Sequence, residues 1–157
     1  RAWGPPPSSS ESEAMPRAAF EALSDRLTKA LIRGDFRLYR SVFWLPLCIE
    51  TRDGDSYLLT NDSELARDFD LYRIAITVNG VTDFVRRIRF FEAETPDTLK
   101  VTVEMNILRG AERLVQPFAS RFTMVRDGEW RFRAIQSAPG HIRWTLGQGP
   151  LDGRDLE

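Results

Sequence analysis

The chain has 157 residues, of which 42% are apolar and 11% aromatic, and this composition can fill the core of one domain. Its 22 basic and 23 acidic residues leave a formal net charge of -1, which provides no long-range field to attract nucleic acid or an anionic membrane. We therefore expect one soluble domain with no nucleic-acid partner and no membrane partner.

The chain contains one cysteine, Cys48, and one histidine, His141. Together they cannot form a disulfide framework or a zinc site of Cys and His ligands, so we expect no metal and no other cofactor. No apolar run approaches the length of a membrane span, and the N-terminus lacks the apolar centre of a signal peptide. These features predict a cytoplasmic location, with Cys48 as a core thiol and His141 as an ordinary exposed residue.

The N-terminal half predicts a tail followed by helices. Residues 1–14, rich in Pro and Ser, are expected to form a disordered tail before a domain at 15–140. Over 17–33, apolar residues recur at steps of three and four, as on one face of a helix that ends at Gly34. Asp35 can cap a second helix that runs to about residue 42.

A hairpin and a third helix follow. Pro46 stops helical continuation before a strand at 47–51, and Asp53-Gly54 supplies the turn into a strand at 56–59. Asn61 and Glu64 resemble a helix-capping pair, and Asn79-Gly80 ends that helix. Its apolar stripe consists of Leu65, Phe69, Tyr72 and Ile76.

From residue 81 to 137 the apolar period changes to two, which predicts a meander of long strands. Thr95-Pro96-Asp97, Arg109-Gly110-Ala111 and Asp127-Gly128 supply its turns. The Gly-rich segment 141–157 is expected to be an irregular or disordered C-terminal tail.

This order of elements is similar to the nuclear transport factor 2-like superfamily, which includes SnoaL-like polyketide cyclases and ketosteroid isomerase-like proteins. The most specific part is the last hairpin, where Asp127-Gly128 precedes Trp130 and the alternating Phe132 and Ala134. Gly34-Asp35-Phe36, Tyr39 and Pro46 also look like the family's link between helices and sheet. The resemblance covers about residues 16–137. It implies an α+β cone in which a strongly curved antiparallel sheet packs on about three N-terminal helices.

The resemblance also suggests a site for general acid–base chemistry. Ketosteroid isomerase-like proteins place an aspartate base on the first hairpin and use a tyrosine with a protonated acid as oxyanion donors. Glu50 lies near that hairpin position and is the candidate base here, with Tyr57 or Tyr72 as a hydrogen-bond donor. The predicted inward faces of the strands carry no clear second acid.

A ligand site is the other prediction for the space between sheet and helices. Arg86 shares its strand parity with Phe84, Ile88 and Phe90, so it would reach into an apolar chamber and need an acid, a carbonyl or a ligand carboxylate there. Gln116 and Gln136 share a face with apolar neighbours and could be further polar groups. The ligand-binding candidates are Trp44, Tyr57, Tyr72, Phe84, Arg86, Gln116, Phe118 and Gln136.

Three functions fit this sequence: a binder of a small, mostly apolar ligand, an acid–base isomerase, cyclase or dehydratase, and a homodimeric interaction module. A homodimer is expected because both predicted faces of the long strands carry apolar residues. Val85 and Phe91 lie on one parity of the first long strand, and Phe84, Ile88 and Phe90 lie on the other. Alternatively, the C-terminal segment with Ile142, Trp144 and Leu146 covers the second face.

Overall fold

The computed structural model describes residues 9–51 and 56–137. Within them the chain forms three helices and seven strands in the order α1, α2, β1, β2, α3, β3 to β7. Their bounds are α1 Ser9–Arg33, α2 Phe36–Arg40, β1 Phe43–Thr51, β2 Ser56–Leu59, α3 Asp62–Asn79, β3 Asp83–Thr95, β4 Thr98–Arg109, β5 Glu112–Arg113, β6 Phe118–Asp127 and β7 Glu129–Ser137.

The strands form one sheet in the order β2-β1-β7-β6-β4-β3, with β5 paired to β4. Every pairing is antiparallel except that of β1 with β7, which is parallel. The sheet is curved and unclosed, and the three helices pack on one of its faces. This confirms the predicted α+β architecture, although the parallel pair was not expected.

Local capping signals form the predicted helix ends. The Asp35 carboxylate accepts a hydrogen bond from the Leu38 amide at 3.1 Å and so caps α2. At α3 the Asn61 side chain accepts from the Glu64 amide at 3.0 Å. Gly80 ends α3 in the left-handed region with φ 67°, and its amide donates to the Ile76 carbonyl.

Two elements begin earlier than predicted. The first helix starts at Ser9 instead of residue 17, because the Glu and Ala residues before Pro16 favour the first turns of a helix despite the Pro/Ser-rich composition. The first strand starts at Phe43 instead of residue 47, and it contains Pro46 after a cis peptide bond. The register of β1 against β7 shifts between Phe43 and Cys48, so no regular ladder requires the missing Pro46 amide hydrogen.

The core lies between the helices and the inner face of the sheet. The Phe20 ring of α1 packs edge-on against Phe122 and Phe132, each with ring centroids 5.8 Å apart. Phe43 of β1 is fully buried beside Phe132. We call the helix-covered face the inner face and the opposite one the outer face.

A β-bulge changes which side chains of β3 point inward. Ile88 is opposite Val103 on β4, but Phe90 is opposite Thr102, so Arg89 is an extra residue in the ladder. Phe91 therefore packs against the core, whereas Phe90 is 53% exposed. The prediction that Phe90 shares the inner face with Phe84 was wrong for this reason.

Several predictions concern residues outside the described part of the chain. These are the Asp53-Gly54 turn, His141, the C-terminal tail at 141–157 and the first eight residues of the N-terminal tail. Among the described helices, none combines the length and the apolar composition that a membrane crossing needs.

Candidate functional site

The inner face and the helices line a partly open chamber of about 50 Å³. This volume is the space open to the centre of a water-sized sphere, and one buried water needs about 10–15 Å³ of it. The chamber therefore admits a ligand of a few heavy atoms. Its walls are mostly apolar, with a small number of polar side chains. They are formed by Leu27, Leu31, Tyr39, Phe43, Tyr72, Phe84, Arg86, Met105, Ile107, Phe118, Ser120, Phe122, Ile135 and Ser137.

Arg86 of β3 is the charged residue in this lining, and α1 holds one end of it. Its Nη1 donates to the Thr28 hydroxyl at 2.6 Å, and it lies 3.2 Å from both the carbonyl oxygen and the hydroxyl of Ser24. The guanidinium carbon lies 5.7 Å from the Phe84 ring centroid and 5.9 Å from that of Phe122. The side chain is therefore positioned by both layers of the fold.

One donor of the Arg86 guanidinium is not satisfied by the described residues. Its Nε is buried and has no hydrogen-bond partner in the described part of the chain. Burial lowers the pKa of Arg86 to about 10, and the charges of Asp83 and Asp25 oppose that shift only in part. Arg86 also borders an open groove between α1 and β3, so water can reach another part of the side chain.

Two tyrosines add hydroxyl groups to the chamber wall. Burial is the main cause that raises the pKa of Tyr39 and of Tyr72, and the nearby Asp68 raises both further. Both side chains are therefore neutral phenols at physiological pH, able to donate or accept a hydrogen bond. Tyr39, on α2, was not among the predicted site residues, although its spacing after the Asp35 cap placed it on the inner side of a short helix.

Asp68 of α3 lies near these tyrosines, although it does not line the chamber. It is 6% exposed, and its Oδ2 accepts a hydrogen bond from the Tyr57 hydroxyl at 3.3 Å. Burial raises its pKa, while the Tyr57 hydrogen bond and the charge of Arg67 lower it. The sequence contains a signal for this buried acid. Asp68 falls three residues after Leu65 and four before Tyr72, on the apolar stripe of its helix.

Half of the eight ligand-binding candidates meet at the chamber. Tyr72, Phe84, Arg86 and Phe118 line it, and Tyr57 instead bonds Asp68. The remaining three candidates do not line the chamber: Trp44, Gln116 and Gln136.

Each of these three has a structural reason. The Trp44 indole donates to the Val125 carbonyl at 2.9 Å, and its ring packs under Arg131. Gln116 is exposed in the loop before β6. Gln136 follows a bulge in β7, where Phe132 is opposite Met124 but Ala134 is opposite Thr123, and this extra residue turns Gln136 to the outer face.

Glu50 also fails to reach the chamber. It is exposed and pairs with Gln136 on β7, whereas its neighbour Ile49 is buried in the core. A general base with a raised pKa needs a desolvated carboxylate, and the alternation of β1 points Glu50 the other way. The same alternation leaves Cys48 partly exposed instead of in the core. Among the described residues, no group of three or more His, Cys, Asp or Glu side chains could hold a metal ion.

Comparison with known proteins supports the fold. No protein-family model and no curated protein matches the sequence. A nuclear transport factor 2-like protein of unknown function from Shewanella oneidensis is 14% identical, with a TM-score of 0.60 over 79% of this chain and 99% of that chain. A proposed dehydratase of the same family from Streptomyces avermitilis is 16% identical, with a TM-score of 0.57 over 80% and 96%.

A domain of unknown function from Nostoc punctiforme, described as having a cystatin-like fold, is 15% identical with a TM-score of 0.59. That match covers 78% of this chain and 75% of that chain. At such identities the likeness concerns the backbone and says nothing about substrate or activity. Together with the order of three helices and a curved sheet, it shows that this chain has the nuclear transport factor 2-like fold.

Proposed function

We propose that the chain binds a small, mostly apolar ligand in the chamber. The observation that supports this proposal is a mostly apolar chamber with only a few polar groups in its wall, namely Arg86, the two tyrosines and two serines. Binding sites for small molecules have this composition. The volume of about 50 Å³ limits the ligand to a short chain or fragment.

The chamber walls also set the expected strength of binding. Burial of a CH2 group contributes about 0.8 kcal/mol, so a four-carbon chain gains roughly 3 kcal/mol from the apolar walls. That value corresponds to a dissociation constant in the millimolar range before any polar contact is counted. A suitable test must therefore detect weak binding and locate it.

Methyl NMR can detect weak binding and also locate it, and we choose 1-butanol as the probe. The methyl groups of Ile107 and Ile135, which line the chamber, are expected to shift and to saturate as 1-butanol is added. The methyl group of Ile74, which is 55% exposed on α3, serves as the matched control and should keep its position. Equal, non-saturating shifts of all three would show solvent effects alone and would reject the proposal.

A second candidate is general acid–base catalysis, which the burial of the Asp68 carboxyl group favours. A buried carboxylic acid with a raised pKa holds its proton to a higher pH than a solvated aspartate does, and Asp68 lies close enough to Tyr39 and Tyr72 of the chamber wall to raise their pKa values. A protein of similar fold is a proposed dehydratase. This candidate requires that Asp68 titrate above 3.8, and an NMR titration that gave a lower pKa would reject it.

A further inference from the structure

Arg86 has more hydrogen-bond donors than the fold satisfies. A guanidinium carries five N–H donors in a planar fork. Nη1 is held by oxygens of Ser24 and Thr28 on α1, whereas the buried Nε has no partner in the parts of the chain that the structure describes. The chain therefore leaves a buried donor beside the chamber that its own described residues do not use.

The positive charge of Arg86 also lacks a direct counter-ion. None of the ion pairs among the described residues, with nitrogen and oxygen within 4.0 Å, involves Arg86. Asp25 and Asp83 act on it only at longer range. Arg86 is half-buried, and a charge removed from water that is neither paired nor fully hydrogen-bonded costs free energy, so an anion bound beside it in the chamber would be stabilised.

We infer that the chamber ligand carries a carboxylate, and that Arg86 binds it. This inference rests on the proposed function, because it names the polar group of the ligand in that same chamber. A carboxylate supplies two oxygens and the missing negative charge, and it matches the guanidinium fork better than a single carbonyl or hydroxyl does.

The surroundings of Arg86 favour such an ion over a water-filled site. The rings of Phe84 and Phe122 lie within 6 Å of the guanidinium carbon, at 5.7 and 5.9 Å, and exclude water from these sides of it. A hydrogen bond between charged groups is stronger where water is excluded. The neutral Tyr39 hydroxyl of the same chamber can donate to a second carboxylate oxygen without adding charge.

The test compares three four-carbon probes, butanoate, butanamide and 1-butanol, by the shifts of the Ile107 and Ile135 methyl groups. Butanoate is expected to bind about tenfold more tightly than butanamide, since a charge-assisted hydrogen bond adds to the same apolar contact. In Arg86→Met this preference should disappear while 1-butanol still binds. The matched control is Arg87→Met, which removes an exposed arginine on the outer face and should keep the preference.

A direct measurement on the unmodified chain tests the inference even if Arg86→Met does not fold. Saturating butanoate should move the Arg86 Nε–H resonance, because Nε gains an acceptor, and saturating 1-butanol should leave it in place. If 1-butanol binds but butanoate binds no more tightly than butanamide, or if the Nε–H signal does not respond to butanoate, the carboxylate inference is wrong and the chamber proposal stands. If none of the three probes shifts Ile107 and Ile135, both are wrong.

Discussion

Asp68 is the only buried carboxylate among the described residues, and its environment favours the neutral acid. Because burial raises its pKa above 3.8, the folded state binds the proton more tightly than the unfolded chain does. The stability of the protein must then fall as the pH rises from 3.8 through the raised pKa of the folded state. The pH dependence of folding stability therefore reports on the environment of Asp68.

We predict that Asp68→Asn removes this pH dependence. The amide keeps an oxygen that accepts a hydrogen bond from Tyr57, but it cannot ionise. As the pH rises from about 4 to about 7, the free energy of unfolding of Asp68→Asn should therefore increase relative to that of the unmodified chain. Urea denaturation at several pH values measures this. Asp70→Asn, two residues away and exposed on the same helix, is the control and should leave the pH dependence unchanged. A constant difference between the Asp68 variant and the parent chain would contradict the prediction.

A second prediction concerns the sign of the Tyr57 effect. The Tyr57 hydroxyl donates to Asp68 and stabilises the charged carboxylate, so Tyr57→Phe should raise the Asp68 pKa further. The side-chain carboxyl carbon of Asp68, followed by NMR through a pH titration, reports that pKa. The Asp70 carboxyl signal in the same spectra is an internal reference. A lower Asp68 pKa in Tyr57→Phe would contradict the prediction and would show that the hydroxyl acts on this pKa mainly through solvation, not through its hydrogen bond.

At the scale of elements, the bulge in β3 decides which of two adjacent phenylalanines belongs to the core. Phe91 lies opposite the buried Val101 and packs against the core, and Phe90 lies opposite Thr102. Arg17 of α1 covers the Phe91 ring at 5.3 Å, which joins the helix to this end of the strand. Both phenylalanines have the same size, so they form a matched pair.

Phe91→Ala should therefore reduce the free energy of unfolding by about 2 kcal/mol, since it removes a partly buried ring and leaves a cavity. Phe90→Ala should change it by no more than about 0.5 kcal/mol, as for an exposed side chain. Chemical denaturation measures both, with the chain diluted until the result no longer depends on its concentration. Equal losses in the two variants would place both rings in the core and would contradict the bulge.

The helices and their ends could be predicted because the signals are local. Asp35, Asn61 and Gly80 act on amides or carbonyls within a few residues, and the apolar stripe of α3 lies on a single element. The bulges in β3 and β7 could not be predicted from the sequence, because an extra residue in a strand is defined only by its register against the partner strand.

The same difference explains the outcome for the site. Phe84 and Arg86 lie before the bulge of β3, so strict alternation placed them in the chamber. Gln136 lies after the bulge of β7, and alternation placed it on the wrong face. The partly used donors of Arg86 depend on a contact between α1 and β3 from distant parts of the sequence, so they could be found only in the folded chain.

At the scale of the whole molecule, the outer face of the sheet is the surface that the helices leave uncovered. Its apolar part differs from the predicted one, because the bulge in β3 turns Phe91 inward and places Phe90 on this face instead. This apolar part includes the exposed Val85, Phe90 and Ala119, and a shallow groove of about 240 Å³ lies beside Phe90 and Ala119. Charged side chains border it, and Glu104 lies 3.9 Å from both Arg87 and Arg89.

We propose that two copies of the chain pair through this outer face about a two-fold axis. A two-fold contact places the same patch on both sides, so the Phe90 ring of one copy can enter the groove of the other, and Glu104 can meet an arginine across the axis.

Sedimentation equilibrium at micromolar concentration should then give twice the 18.0 kDa of one chain. Phe90→Glu should shift the mass toward one chain, because it buries a charge in an apolar contact. Ile74→Glu, an equally exposed apolar residue on α3, is the matched control and should leave the dimer intact. A mass of one chain that does not change with concentration would refute the dimer, and dissociation by Ile74→Glu would move the interface to the helical side.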